Sequence, residues 1–241
     1  MIRLIEVELR KLRGSLILLL VLVPPLLPAM LIALAMATMD GAPSWNQLLG
    51  QVTMQLWAML LNPTLLATVA TLMGQIEYRS SSWSFMLIQP QPRWQLFIAK
   101  LGILSAIHTA MVALAVAGAI LAGLGMGLLT GQPPTGAIPS SESARFVAFM
   151  SLGSFGIVCI QLWVALRWNN FVISLALGIG GTLVAMAVLM TQTDRANWFP
   201  WVIAMRSVLS HETAEYVRMG LLLGLALLPL MLLDLQRRAF K

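Results

Sequence analysis

The chain has 241 residues, of which 59% are hydrophobic and only 10% charged, and its formal net charge is +6. Soluble domains average about half apolar and about a quarter charged residues, so this composition excludes a water-soluble fold and describes an integral membrane protein with material for several spans. In a soluble chain the positive charge would suggest nucleic acid; here it serves as a topology signal, and no nucleic-acid partner is expected.

Residues 1–13 set Ile2, Ile5, Leu9 and Leu12 on one helical face, with Glu6 spaced to pair with Arg10 and Glu8 with Lys11. This predicts an amphipathic interfacial helix whose cations meet anionic lipid, the alternative being a plain flank to the first span. Arg3, Arg10, Lys11 and Arg13 ahead of apolar sequence imitate a secretory signal, and Ala35-Met36-Ala37 imitates its cleavage site. The apolar run Ser15 to Ala37 is 23 residues long and contains Pro24, Pro25 and Pro28. That exceeds the roughly 7 to 15 residues of a signal core, so a kinked first span is expected instead.

A second span is predicted over 52–74, interrupted near its middle by Asn62-Pro63, and a third over 101–126. The loop 127–143 carries Gly131, Pro133, Pro134, Gly136 and Pro139, which punctuate turns. A fourth span (144–166) and a fifth (171–190) are separated by only Arg167-Trp168-Asn169-Asn170, a tight turn. Residues 191–216 hold the aromatic cluster Trp198, Phe199 and Trp201, suited to the headgroup level and to a short re-entrant or surface helix. A sixth span over 217–233 completes a single all-α membrane domain, 1–241. Lone Cys159 lies in an apolar run as filler and permits no intrachain disulfide.

Six spans put both termini on one side. If that side is the cytoplasm, the inner segments hold 11 of the 15 cations: Arg3, Arg10, Lys11, Arg13, Arg79, Arg93, Lys100, Arg167, Arg237, Arg238 and Lys241. The bias agrees with the positive-inside rule and makes residues 77–100 cytoplasmic.

Candidate chemistry is sparse. A phosphate-cradling loop needs Gly-Lys-Ser/Thr, yet no glycine precedes Lys11, Lys100 or Lys241, so energy must come from another subunit or an ion gradient. His211-Glu212-Thr213-Ala214-Glu215 resembles a zinc-protease helix but has Glu215 where the second His belongs, and no metal site is expected. His108 within the third span, with the amides Asn62 and Gln161, is either a substrate contact or an interhelical hydrogen-bonding group. Gly123 with Gly127, and Gly220 with Gly224, permit close helix approach, within the chain or between subunits.

The distinctive stretch is Met73 to Lys100. Glu77-Tyr78-Arg79 closes the second span, Ser80 and its neighbours can cap a short helix, and Trp83, Met86 and Leu87 form one apolar stripe. Pro90 and Pro92 stop it, and Arg93, Trp94 and Lys100 mark the return to the membrane.

Glu77, Trp83, Pro90, Arg93 and Lys100 resemble the pattern of the ABC-2 type permeases, especially those of bacitracin-resistance and lantibiotic-immunity exporters. The charged amphipathic N-terminus, Pro24 and Pro25, and the six spans extend the resemblance over the whole chain. It implies a coupling helix, about Arg79 to Ile88, docking on a cytoplasmic ABC ATPase, with Pro90 to Lys100 as the turn into span three. It further implies two ATPases that bind ATP-Mg, a second permease identical or related to this one, a bacterial cytoplasmic membrane, and no cofactor on this chain. Residues 191–216 would match the family's re-entrant element, whereas the Pro-rich loop 127–143 departs from its pattern. The function expected is the permease of an exporter of amphiphiles such as peptide antibiotics or lipid-like compounds. The alternatives are a polytopic enzyme acting on lipid through His108, His211 or Glu212, and a membrane anchor for an ATPase that transports nothing.

Overall fold

The amphipathic N-terminal pattern forms α1 (Ile2–Leu12), with the Glu6–Arg10 pair at 2.6 Å on its exposed side and Glu8–Lys11 at 2.7 Å on its inner side. The computed structural model describes residues 2–12, 14–39, 41–79 and 92–237. Gly14, at φ +81°, supplies the left-handed residue that turns the chain from α1 into the first span. That span is α2 (Leu16–Leu22), a 3-10 turn at Pro24–Leu26, and α3 (Leu27–Thr38). The prolines lack the N–H that would continue the α ladder, so it tightens to 3-10 geometry where they cluster.

The second span runs as one helical rod from Gln47 to Tyr78. Its first part is π-helical, at Gln47–Met54 and Trp57–Leu61, and α4 (Asn62–Arg79) continues it. Pro63 removes a donor at this junction, and the Asn62 N–H bonds back to the Trp57 carbonyl five residues away. Two-thirds of this rod's apolar window is buried, against a third or less in the other four continuous spans, so it is the central post of the bundle.

Helix α5 (Arg93–Thr130) begins directly after Pro92 and has 38 residues. Lys100 therefore stands about two turns inside a helix and not in a re-entry turn. At 1.5 Å per residue α5 is about 57 Å long, well beyond a hydrocarbon core of roughly 30 Å, so its ends project from the bilayer. Gly131, at φ +70°, terminates it.

The fourth span, expected as continuous, is a pair: α6 (Ser140–Gly153) and α7 (Phe155–Arg167), bent by 45° at Ser154. Helix α8 (Phe171–Met190) follows, its first turn capped by the Asn170 side chain accepting from the Val172 N–H at 2.9 Å. Then come α9 (Pro200–Leu209) and α10 (Thr213–Arg237). Five described helical rods are long and apolar enough to cross a membrane, and the bent pair is a sixth candidate.

Glycines set the closest contacts. A Cβ on Gly220 of α10 would lie 2.2 Å from the Gly153 carbonyl oxygen, and one on Gly224 2.2 Å from the Phe155 ring, so α10 crosses the α6–α7 bend in close backbone contact. Gly123 receives the Trp45 ring and Gly127 the Pro133 backbone. All four serve packing inside this chain.

The Pro-rich loop, left without assignment by sequence, docks on the loop after the first span. Ser44 and Thr135 form a parallel bridge, with Trp45 N donating to Thr135 O at 3.2 Å and Thr135 N to Pro43 O at 2.9 Å. Helix α9 is the short element expected between spans five and six, but it is sunk in the bundle: Trp201 to Met205 are buried, with Trp201 lying on Gly181 of α8. Arg206 ties it down by pairing with Asp194 at 3.1 Å and donating to the Tyr216 hydroxyl at 3.1 Å.

Candidate functional site

The helix ends that bracket residues 80–91 meet in a cluster of four charges from three elements: Glu8 and Lys11 of α1, Glu77 of α4 and Lys100 of α5. Lys100 Nζ donates to Glu8 Oε2 and, at 2.6 Å, to Glu77 Oε1; Lys11 Nζ donates to Glu8 Oε1 at 2.7 Å and to Glu77 Oε1 at 2.9 Å. Lys100 and Glu77 have side chains only 1% exposed. An ammonium so deeply enclosed is faced by two carboxylates, and removing either side of the pairing would leave buried charge uncompensated.

Lys11, at the outer edge, is held above the ordinary lysine value: burial opposes its charge, but hydrogen bonds and attraction from Glu8 and Glu77 outweigh that. The cluster is a rigid joint, because each lysine bridges both acids and each acid accepts from both lysines.

The same end of the bundle carries further ties. Tyr78 OH donates to Leu166 O at 2.7 Å and Gln75 to Asn169 O at 3.2 Å, linking α4 to the last turn of α7 and to the turn after it. Asp234 of α10 accepts from Trp163 at 2.8 Å and pairs with Arg167 at 3.0 Å. Arg93, first residue of α5, donates to Gln236 O at 3.3 Å.

Of the residues expected to couple to an ATPase, Glu77 and Lys100 are thus brought together, and Arg93 is tied to α10. Ser80, Trp83, Met86, Leu87 and Pro90 lie outside the described residues, as does the side chain of Arg79. The docking helix expected at 79–88 falls in that interval. Sequence reasoning paired Glu8 with Lys11 but missed both as partners of Glu77 and Lys100. The available signal was that Glu77 and Lys100 are ionisable residues flanking apolar runs, where a charge needs an opposite one.

A second polar group lies mid-bundle. His108 Nε2 of α5 is hydrogen-bonded to Asn62 Oδ1 of α4, and Asn62 Nδ2 donates at 3.2 Å to Ser154 Oγ, at the bend between α6 and α7. The space beside them, walled by Trp57, Leu66, Val69, Leu104 and Met111, has no room for a water molecule. These two expected contacts therefore bond helices to one another. Gln161 is fully buried, is not part of this chain of bonds, and its amide has no hydrogen-bond partner among the described residues. His211 and Glu212 are exposed in the turn before α10. Among the described residues no group of three His, Cys, Asp or Glu could hold a metal ion.

The family model of the ABC-2 family transporter proteins matches residues 4–185, three-quarters of the chain and the whole of the ion cluster. No curated protein and no solved structure gives a significant match. An all-α multi-pass architecture, with charged helix ends gathered below the second and third spans, fits that match. The chain belongs to the ABC-2 family of transporter proteins, as the membrane subunit of an ABC transporter.

Proposed function

We propose that the chain is the permease of an ATP-driven exporter whose substrate is an amphiphile, such as a peptide antibiotic or a lipid-like compound. A role in resistance or immunity follows where that substrate is an antibiotic. In this reading residues 77–100 face the cytoplasm of a bacterial cell, and Arg79 to Ile88 form the helix that docks on a separate ABC ATPase. Two ATPases, which bind the ATP-Mg, serve this permease and a second one identical or related to it.

The observation that carries the reading is the buried ion cluster. Residues 80–91 are flanked by Glu77 and Lys100, and both are clamped to α1 by Glu8 and Lys11. A displacement imposed on 80–91 therefore passes into α1, α4 and α5 together, which is what rocking the spans as a body requires. A lipid-processing enzyme would need a paired acid and base; His108 instead has its ring nitrogen bonded to Asn62.

Copurification of the chain with the products of its neighbouring genes tests the assignment directly: an ABC ATPase among them is expected, and its absence would undermine the reading. Replacing both Arg79 and Trp83 with Ala should leave ATP hydrolysis by the complex intact and abolish export. Export at the normal rate from that double variant would refute the coupling role.

A further inference from the structure

At the end of the bundle remote from the ion cluster, a cavity of about 260 Å³ opens between the first three turns of α6, the last turn of α9, the start of α10 and Met54 of the second span. Its rim carries Glu142 and Arg145, with Thr213 beside them, and its wall is Met54, Phe149 and Val208. Glu142 and Arg145 stand three apart on one helix, the spacing at which opposite charges ordinarily pair. Neither forms an ion pair, with the other or with any described residue. The Arg145 guanidinium lies instead over the Phe149 ring, 5.4 Å from its centroid. One cation and one anion thus line the cavity side by side, each with its hydrogen-bonding capacity uncommitted, above an apolar and aromatic wall.

We infer that this cavity binds the headgroup of a zwitterionic, amine-bearing phospholipid, the phosphate facing Arg145 and the ammonium facing Glu142. The charge pattern is complementary to a ligand with both signs a few ångströms apart, and a purely anionic group would meet repulsion from Glu142. The placement favours a lipid: α6 opens the bent candidate span and α10 opens another, so on membrane insertion their first turns fall near headgroup level. A bound lipid there would bridge α6, α9 and α10. The inference stands on the cavity and on membrane insertion alone, whatever substrate the transporter carries.

Native mass spectrometry of the full chain, purified in detergent and offered either phosphatidylethanolamine or phosphatidylglycerol, tests it. Phosphatidylethanolamine should be retained in preference. Glu142→Gln should erase the preference, and Arg145→Ala should weaken retention of both lipids about fivefold, the scale of one exposed ion pair. Arg145→Lys should keep most of that retention. All three variants should melt like the parent, since both residues are exposed, so lost retention can be told from lost fold. Equal retention of the two lipids, or a preference that survives both Glu142→Gln and Arg145→Ala, overturns the inference. So does displacement of the lipid by the apolar dipeptide Leu-Phe, which offers the same two charges and would make the site a peptide site.

Discussion

Lys100 shows how much a single side chain can decide. It is 1% exposed, an environment where an uncompensated ammonium is untenable, and it is held by Glu8 and Glu77. Replacing Lys100 with Met should cost about 3–5 kcal/mol, read as a lower unfolding temperature in detergent, because two buried carboxylates would lose the ammonium that bridges them. Adding Glu8→Gln to that variant should recover part of the loss, since charge balance returns; a further full-size loss would contradict a cooperative cluster. Lys11 predicts a pH dependence with a definite sign. Its folded value lies above the ordinary 10.5, so the stability it contributes is complete below pH 10.5 and is lost as pH rises through the folded value. The stability gap between the parent and Lys11→Met should accordingly hold steady at neutral pH and close in strong alkali. At this scale the sequence showed Glu8 beside Lys11, three residues apart on one helix, but not the 23- and 92-residue separations that join Lys100 to Glu77 and Glu8.

Helices were legible where a local rule governs them. The apolar runs and the prolines of the first span act within a few residues, and described helices cover the stretches they mark. The two departures have tertiary causes. Helix α5 begins at Arg93 and not near 101, because its first turns pack against α1, which makes charged and polar residues tolerable there. Span four bends at Ser154, where Gly153 admits α10 to backbone contact. Gly220→Leu should force α10 away from that bend and cost about 1–3 kcal/mol, measurable by thermal unfolding, whereas Leu at Gly125, where an added Cβ meets nothing within 4 Å, should change little.

Across the whole molecule, the two ends are built differently. One gathers ion pairs and helix ends around residues 80–91; the other closes with the Ser44–Thr135 bridge and the buried helix α9. Cysteines placed at 44 and 135, in a Cys159→Ser background, should crosslink within the chain, since bridged residues lie at disulfide distance. A membrane-impermeant maleimide should label a single cysteine at 135 from outside the cell and one at Gln236 only after the membrane is opened, which tests the orientation argued from the cations.

What the sequence determined by itself was the solvent: a greasy composition with span-length apolar runs admits only a helical membrane protein, because in lipid every backbone group must be satisfied within its own segment. The chain order of the spans and the bias of the cations are readable for the same reason, being properties of local stretches. Only the tertiary structure decided which charges meet, which glycines face backbone and where the loop 131–139 docks. Those contacts join residues far apart in the chain, and their strength depends on burial, which no local pattern encodes.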